Sequence, residues 1–198
     1  MASEVSICSN ALLLLGAQTI NSLAETSDRA KLASNLWPQT RNSVLRSHPW
    51  NCCIQRVELA PDEETPAFDW AYQFTLPSDY LKALSVGEAG CEVEFRIEGR
   101  KLLSDENPCR LRYVSRNLAV GSWDDMLVQA MTLAMAAEMA YAITQSASMR
   151  DSMREQLEMH MKRARAVDGQ EDTPETVGDS PLLQARMGSR GSAWGWGR

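Results

Sequence analysis

Apolar side chains recur along this chain first at helical spacing, then in alternation, then at helical spacing again. Val5, Cys8, Leu12 and Leu15 fall three and four residues apart, which predicts an amphipathic helix that Gly16 can close. After a turn-rich stretch, Ser27 is placed to cap a second helix. Its apolar face is Ala30, Ala33, Trp37, Thr40 and Val44, and it should end before Pro49. Pro38 falls inside that helix, where the missing N–H predicts a kink or a split.

The period then drops to two. Cys91, Val93, Phe95 and Ile97 alternate with Glu92, Glu94, Arg96 and Glu98, the pattern of one strand with one wet face. Glu98-Gly99 predicts a hairpin return into 101–104, and 105–108 a second turn before a strand over 110–115. Shorter strands are expected over 52–59, 72–76 and 81–86. Residues 51–117 thus read as an antiparallel β insertion.

Helical spacing resumes at Ser122, which with Asp125 makes a capping-box pattern. The helix predicted over 123–145 is apolar on most sides. Leu127, Ala130, Met131, Ala134, Ala137, Met139, Tyr141 and Ile143 leave only a thin polar strip around Gln129 and Thr132. Such a helix must be covered on most sides, either at the centre of a bundle or at a subunit interface. Ser148 and Asp151 repeat the capping pattern, and Met149, Met153, Leu157 and Met161 stripe a last helix. The short connection predicts an antiparallel pair. The fold class is then α+β: helices over 1–50 and 118–167 flank an inserted antiparallel β subdomain, and 168–198 is an extended C-terminal arm.

That arm is rich in Asp, Glu, Gly, Pro, Thr and Ser and is not domain core. It nonetheless carries Leu182, Leu183, Arg186, Trp194, Trp196 and Arg198, and two tryptophans outside a core predict anchoring on another surface.

Composition narrows the function. With 44% hydrophobic residues among 198, the chain can bury a core of its own. Its 20 basic and 26 acidic side chains give a net charge of −6, which argues against neutralising a phosphate backbone. Five cysteines without a C-x-x-C pair or neighbouring histidines indicate free thiols in a reducing compartment, not a zinc site or disulfide framework. The N-terminus lacks a basic leader, and its apolar run from Ala11 to Leu15 is too short to span a bilayer, so a soluble, non-secreted protein is expected.

Candidate chemistry is sparse. The only histidines are His48, at a helix end where it meets the dipole, and His160, on the charged last helix, where a solvated or partly packed role is expected. Asp62, Glu63 and Glu64 are consecutive and lack the alternate spacing of a calcium loop, so they read as a solvated turn. The glycines near the C-terminus have no strand before them or helix after them, as a phosphate-cradling loop requires. Arg150, Arg154, Lys162, Arg163 and Arg165 are interleaved with Asp151, Glu155 and Glu158, a mixed solvated face. No catalytic, cofactor or metal site is expected.

Several segments, in order, resemble the tail tubular protein A family, the head-to-tail adaptors of short-tailed and related phages. They are the opening helix Cys8-Ser9-Asn10-Ala11-Leu12-Leu13-Leu14-Leu15-Gly16-Ala17 with Ile20-Asn21-Ser22-Leu23, and the segment Arg41-Asn42-Ser43-Val44-Leu45-Arg46-Ser47-His48-Pro49-Trp50-Asn51. Next come Trp70-Ala71-Tyr72 with Leu76-Pro77-Ser78-Asp79-Tyr80-Leu81, and the alanine-rich helix opened by Trp123. The resemblance implies a structural, non-enzymatic virion protein of the tail neck, assembled in the host cytoplasm as a ring, usually twelvefold. The ring docks under the portal protein and receives the tail nozzle protein, and no membrane is involved. DNA would pass through its channel without specific binding. On that reading the arm reaches a neighbouring subunit or the portal, and Leu127, Met131, Ala134 and Tyr141 of the apolar helix pack between subunits. The alternative is a small DNA-binding or packaging accessory protein, which the acidic balance disfavours; a cell-wall hydrolase would need an acid and base pair.

Overall fold

The structure, a computed structural model, describes residues 2–88 and 91–171. Within them the fold is α+β, four helices and two antiparallel sheets. Helices α1 (Glu4–Leu14) and α2 (Asp28–Ser47) precede strands β1 (Ile54–Leu59), β2 (Tyr72–Thr75), β3 (Tyr80–Glu88), β4 (Cys91–Glu92), β5 (Arg96–Glu98), β6 (Lys101–Ser104) and β7 (Cys109–Ser115). Helices α3 (Asp125–Thr144) and α4 (Ala147–Glu171) follow.

Each helix end has a local cause. Ser3 and Ser6 cap α1 reciprocally, each hydroxyl accepting the other's backbone N–H at 3.1 and 2.9 Å. At its far end Gly16 takes φ +72°, and the N–H groups of Gly16 and Ala17 donate to Leu13 and Leu12 at 3.0 and 2.9 Å, a Schellman closure that favours glycine there. In α2 all five apolar positions read from spacing are buried. The expected kink or split at Pro38 does not break this helix. Pro38 and Ser34, whose carbonyl loses its partner, both lie on the exposed side, where water can serve that carbonyl.

Helix α3 starts two residues later than the pattern predicted. Asp124 accepts the Met126 N–H at 3.0 Å, whereas Ser122 instead donates to the Ala119 carbonyl at 2.8 Å. Ser146, not Ser148, accepts the Met149 N–H at the start of α4. Helix α3 is long and apolar enough to cross a membrane by composition, and 61% of its most apolar window is buried inside the molecule. It packs against α1, α2 and α4, so the bundle itself supplies the cover that an all-round apolar helix needs.

The β region forms two sheets, ordered β1-β7-β3-β4 and β2-β6-β5. The single strand expected over 91–98 is in fact divided. Its start pairs with β3 in the first sheet, and its end pairs with β6 in the second. Alternation persists through the break, with Val93, Phe95 and Ile97 half-buried and the charged residues out. The hairpin at Glu98-Gly99 forms as predicted, with Gly99 at φ +59°. Between the sheets lies a second core of Phe74, Leu76, Val86, Leu102, Cys109, Leu111 and Tyr113.

Polar ties seat this region on the bundle. The Arg46 guanidinium donates to the Leu81 carbonyl at 2.5 Å, and Ser115 and Asn117 donate to the carbonyls of Cys53 and Cys52 at 2.9 and 2.8 Å. Leu81 and Val114 reach into the helical core.

Candidate functional site

His160, for which a solvated or partly packed role was expected, is packed: it is 8% exposed, and its Nε2 lies 2.8 Å from the Met126 carbonyl. A carbonyl only accepts, so that nitrogen carries the proton and pins α4 to the start of α3. His48 meets the edge of Trp50, with ring centroids 4.9 Å apart. Among the described residues no group of three or more His, Cys, Asp or Glu could hold a metal ion. Asp62 belongs to a small network and not a free turn: the Lys101 ammonium lies 2.5 Å away and the Thr75 hydroxyl 2.9 Å. The Lys101 hydrogen bond holds the Asp62 carboxyl below its usual range.

The thiols differ sharply. Burial pushes Cys8 up to about 12 and Cys109 up to about 11. Cys52 and Cys53 lie with their sulfurs 3.7 Å apart, and the bond from Cys53 draws Cys52 down to about 7 while Cys53 is raised.

The apolar helix divides its residues unequally between core and surface. Leu127 and Met131 are fully buried, and Ala134 is 5% exposed, all three within the subunit's own bundle. Leu127 and Met131, expected to pack between subunits, are thus covered by their own bundle, whereas Ala134, under the same assignment, lines a groove with Leu36, Thr40 and Leu157. Tyr141 keeps the surface that assignment requires, at 54% exposure. Arm residues Leu182, Leu183, Arg186, Trp194, Trp196 and Arg198 lie outside the described residues.

A different apolar surface emerges where α1, α3 and α4 meet. A groove of about 650 Å³ there is lined by Leu13, Leu14, Val128, Leu133, Met159 and neighbouring polar side chains. Leu13, Leu14 and Met159 are 57%, 46% and 51% exposed. Spacing hid this site, because it consists of side chains on the outer flanks of three helices whose inner stripes face the core. The unbroken leucines at 12–15 were its one sequence signal, since four consecutive apolar residues cannot all point inward from one helix.

A scan against protein-family models and a search of curated proteins each found no match.

Proposed function

We propose that this chain is a ring-forming structural subunit of a phage head-to-tail junction, an adaptor seated between the portal protein and the tail nozzle protein. The observation that carries the reading is the α1/α3/α4 groove. Three large apolar side chains, each about half exposed and lining one concavity, mark a surface that a partner covers. In a closed ring that cover is the next subunit. The resemblance supplies the role. Several of the residues that carry it, among them Cys8, Ala11, Leu12, Leu45 and Trp50, are core positions of this fold.

On this reading the arm with Trp194 and Trp196 reaches a neighbouring subunit or the portal, and the net charge of −6 gives the channel a surface along which DNA slides. The subunit works in the virion neck after assembly in the host cytoplasm. Electron microscopy and light scattering of the purified chain, alone and with purified portal, test the proposal. Rings in either sample are expected; a strict monomer that ignores the portal would overturn it.

A further inference from the structure

The outer face of the four-stranded sheet carries two rows of charge that the folding contacts satisfy unequally. Pairing of β1 with β7 sets Glu58 opposite Arg110 and Arg56 opposite Arg112, and pairing of β3 with β7 sets Ser85 beside Arg112. Directly opposed residues project from the same face. In one row Arg110 is answered from both sides, by Glu58 at 3.4 Å and by Glu88. In the other row no carboxylate answers. Among the described residues neither Arg56 nor Arg112 has a side-chain hydrogen bond or ion pair, and the Arg112 Nε is buried without an acceptor. Opposed like charges destabilise a sheet, and a buried donor left unpaired costs free energy. A bound anion removes both penalties at once.

Space for one exists. A cleft of about 430 Å³ lies over these rows, lined by Arg56, Ser85 and Arg112 together with Glu58, Glu88 and Glu92. We propose that this cleft binds a carboxylate side chain on a peptide segment of a partner protein, with Arg56 and Arg112 as the principal donors and the Ser85 hydroxyl as a third. The planar guanidinium fork matches a carboxylate in two parallel hydrogen bonds. Charge selects protein over nucleic acid. Three guanidiniums in the cleft meet three carboxylates, so its net charge is zero, and Glu88 and Glu92 repel a strand of phosphodiesters. A lone carboxylate flanked by basic residues is welcome, because its neighbours meet those same glutamates. This inference stands on the sheet register alone and does not depend on the ring reading.

Fluorescence anisotropy with the full chain tests it, using as probe a labelled, amide-capped peptide with one aspartate between lysines. Saturable binding that weakens with added salt is expected. Arg56→Gln and Arg112→Gln should each weaken it about tenfold, as loss of a charge-assisted hydrogen bond implies. Lys31→Gln, which alters an exposed cation on α2, should leave it unchanged. Both arginine variants should keep the parent melting temperature, since each relieves a like-charge pair, and either one suffices should the other misfold. Absence of saturable binding, binding by both arginine variants as tight as the parent's, retained binding when the probe's aspartate is replaced by asparagine, or displacement of the probe by single-stranded DNA would each overturn the proposal.

Discussion

Trp37 of α2 and Trp123, just ahead of α3, stack with ring centroids 6.2 Å apart and planes 10° from parallel. The pair joins the N-terminal helices to the C-terminal ones across the whole inserted β region. Trp37 also donates its Nε1–H to Glu4 of α1 at 2.9 Å, and Trp123 donates to the Asn117 carbonyl at 3.3 Å. Both rings are almost fully buried. Trp37→Ala and Trp123→Ala should each cost about 3–5 kcal/mol in urea denaturation, the range for deleting a core aromatic. Because the two share one contact, the double variant should lose less than the sum of the singles. Additive losses would mean that the stack contributes nothing beyond burial.

Alkylation should sort the thiols by their environments. Only the thiolate reacts, so Cys8 and Cys109, pushed up to about 12 and about 11, stay protonated and inert in the folded chain near neutral pH. Cys52, drawn down to about 7 by the Cys53 bond and only partly buried, should react first of these four. Cys53→Ala removes the donor and should slow Cys52 severalfold. Mass-spectrometric peptide mapping after brief iodoacetamide treatment reads both effects.

The sequence disclosed what repeats locally and hid what depends on partners far along the chain. The face of α2 was legible because Ala30, Ala33, Trp37, Thr40 and Val44 keep one spacing to one core. The division of 91–98 between two sheets was not, because alternation reports which side chains point inward and is silent about which strand lies alongside. For α3 the apolar surface predicted cover but could not say whose, and Leu127 and Met131 turned out to be covered from within. His160 was left open between a solvated and a partly packed role by its charged neighbours, although it continues the inward spacing of Met153, Leu157 and Ala164. The Arg56 and Arg112 row could not be seen at all without register, since the two lie on different strands.

The acid limb of stability should carry a contribution from Asp62. Its carboxyl is held below the ordinary 3.8 by the Lys101 ammonium, and a depressed carboxylate stabilises the fold above its unfolded-state value. That contribution is therefore complete at neutral pH and fades as pH falls below about 4 through the lowered folded-state value. Asp62→Asn should lower stability more at pH 7 than at pH 2, narrowing the gap between the two. Urea midpoints measured across that range check the sign.

Replacing His160 separates packing from hydrogen bonding. His160→Leu preserves most of the buried volume but leaves the Met126 carbonyl without its 2.8 Å partner, and should cost about 1–3 kcal/mol. His160→Gln keeps a donor on a side chain that can reach and should recover part of the loss. An equal loss in both variants would show that ring packing, and not the bond to α3, is what His160 provides.

Surface and core apolar residues of the bundle should respond oppositely to substitution, and the contrast tests where subunits meet. Met131 is fully buried in its own chain, so Met131→Ala should cost about 2–5 kcal/mol and lower the melting temperature whatever the assembly state. Leu13 and Met159 are more than half exposed, so Leu13→Asp and Met159→Glu should change subunit stability by only about 0.5 kcal/mol. In the α1/α3/α4 groove, however, a carboxylate facing an apolar partner would have to shed its hydration with no compensating bond. The two surface substitutions should therefore reduce the mass seen by light scattering while circular dichroism remains that of the parent. If the doubly substituted chain still assembles, the groove is not the contact, and the exposed Tyr141 face of α3 becomes the surface to change next.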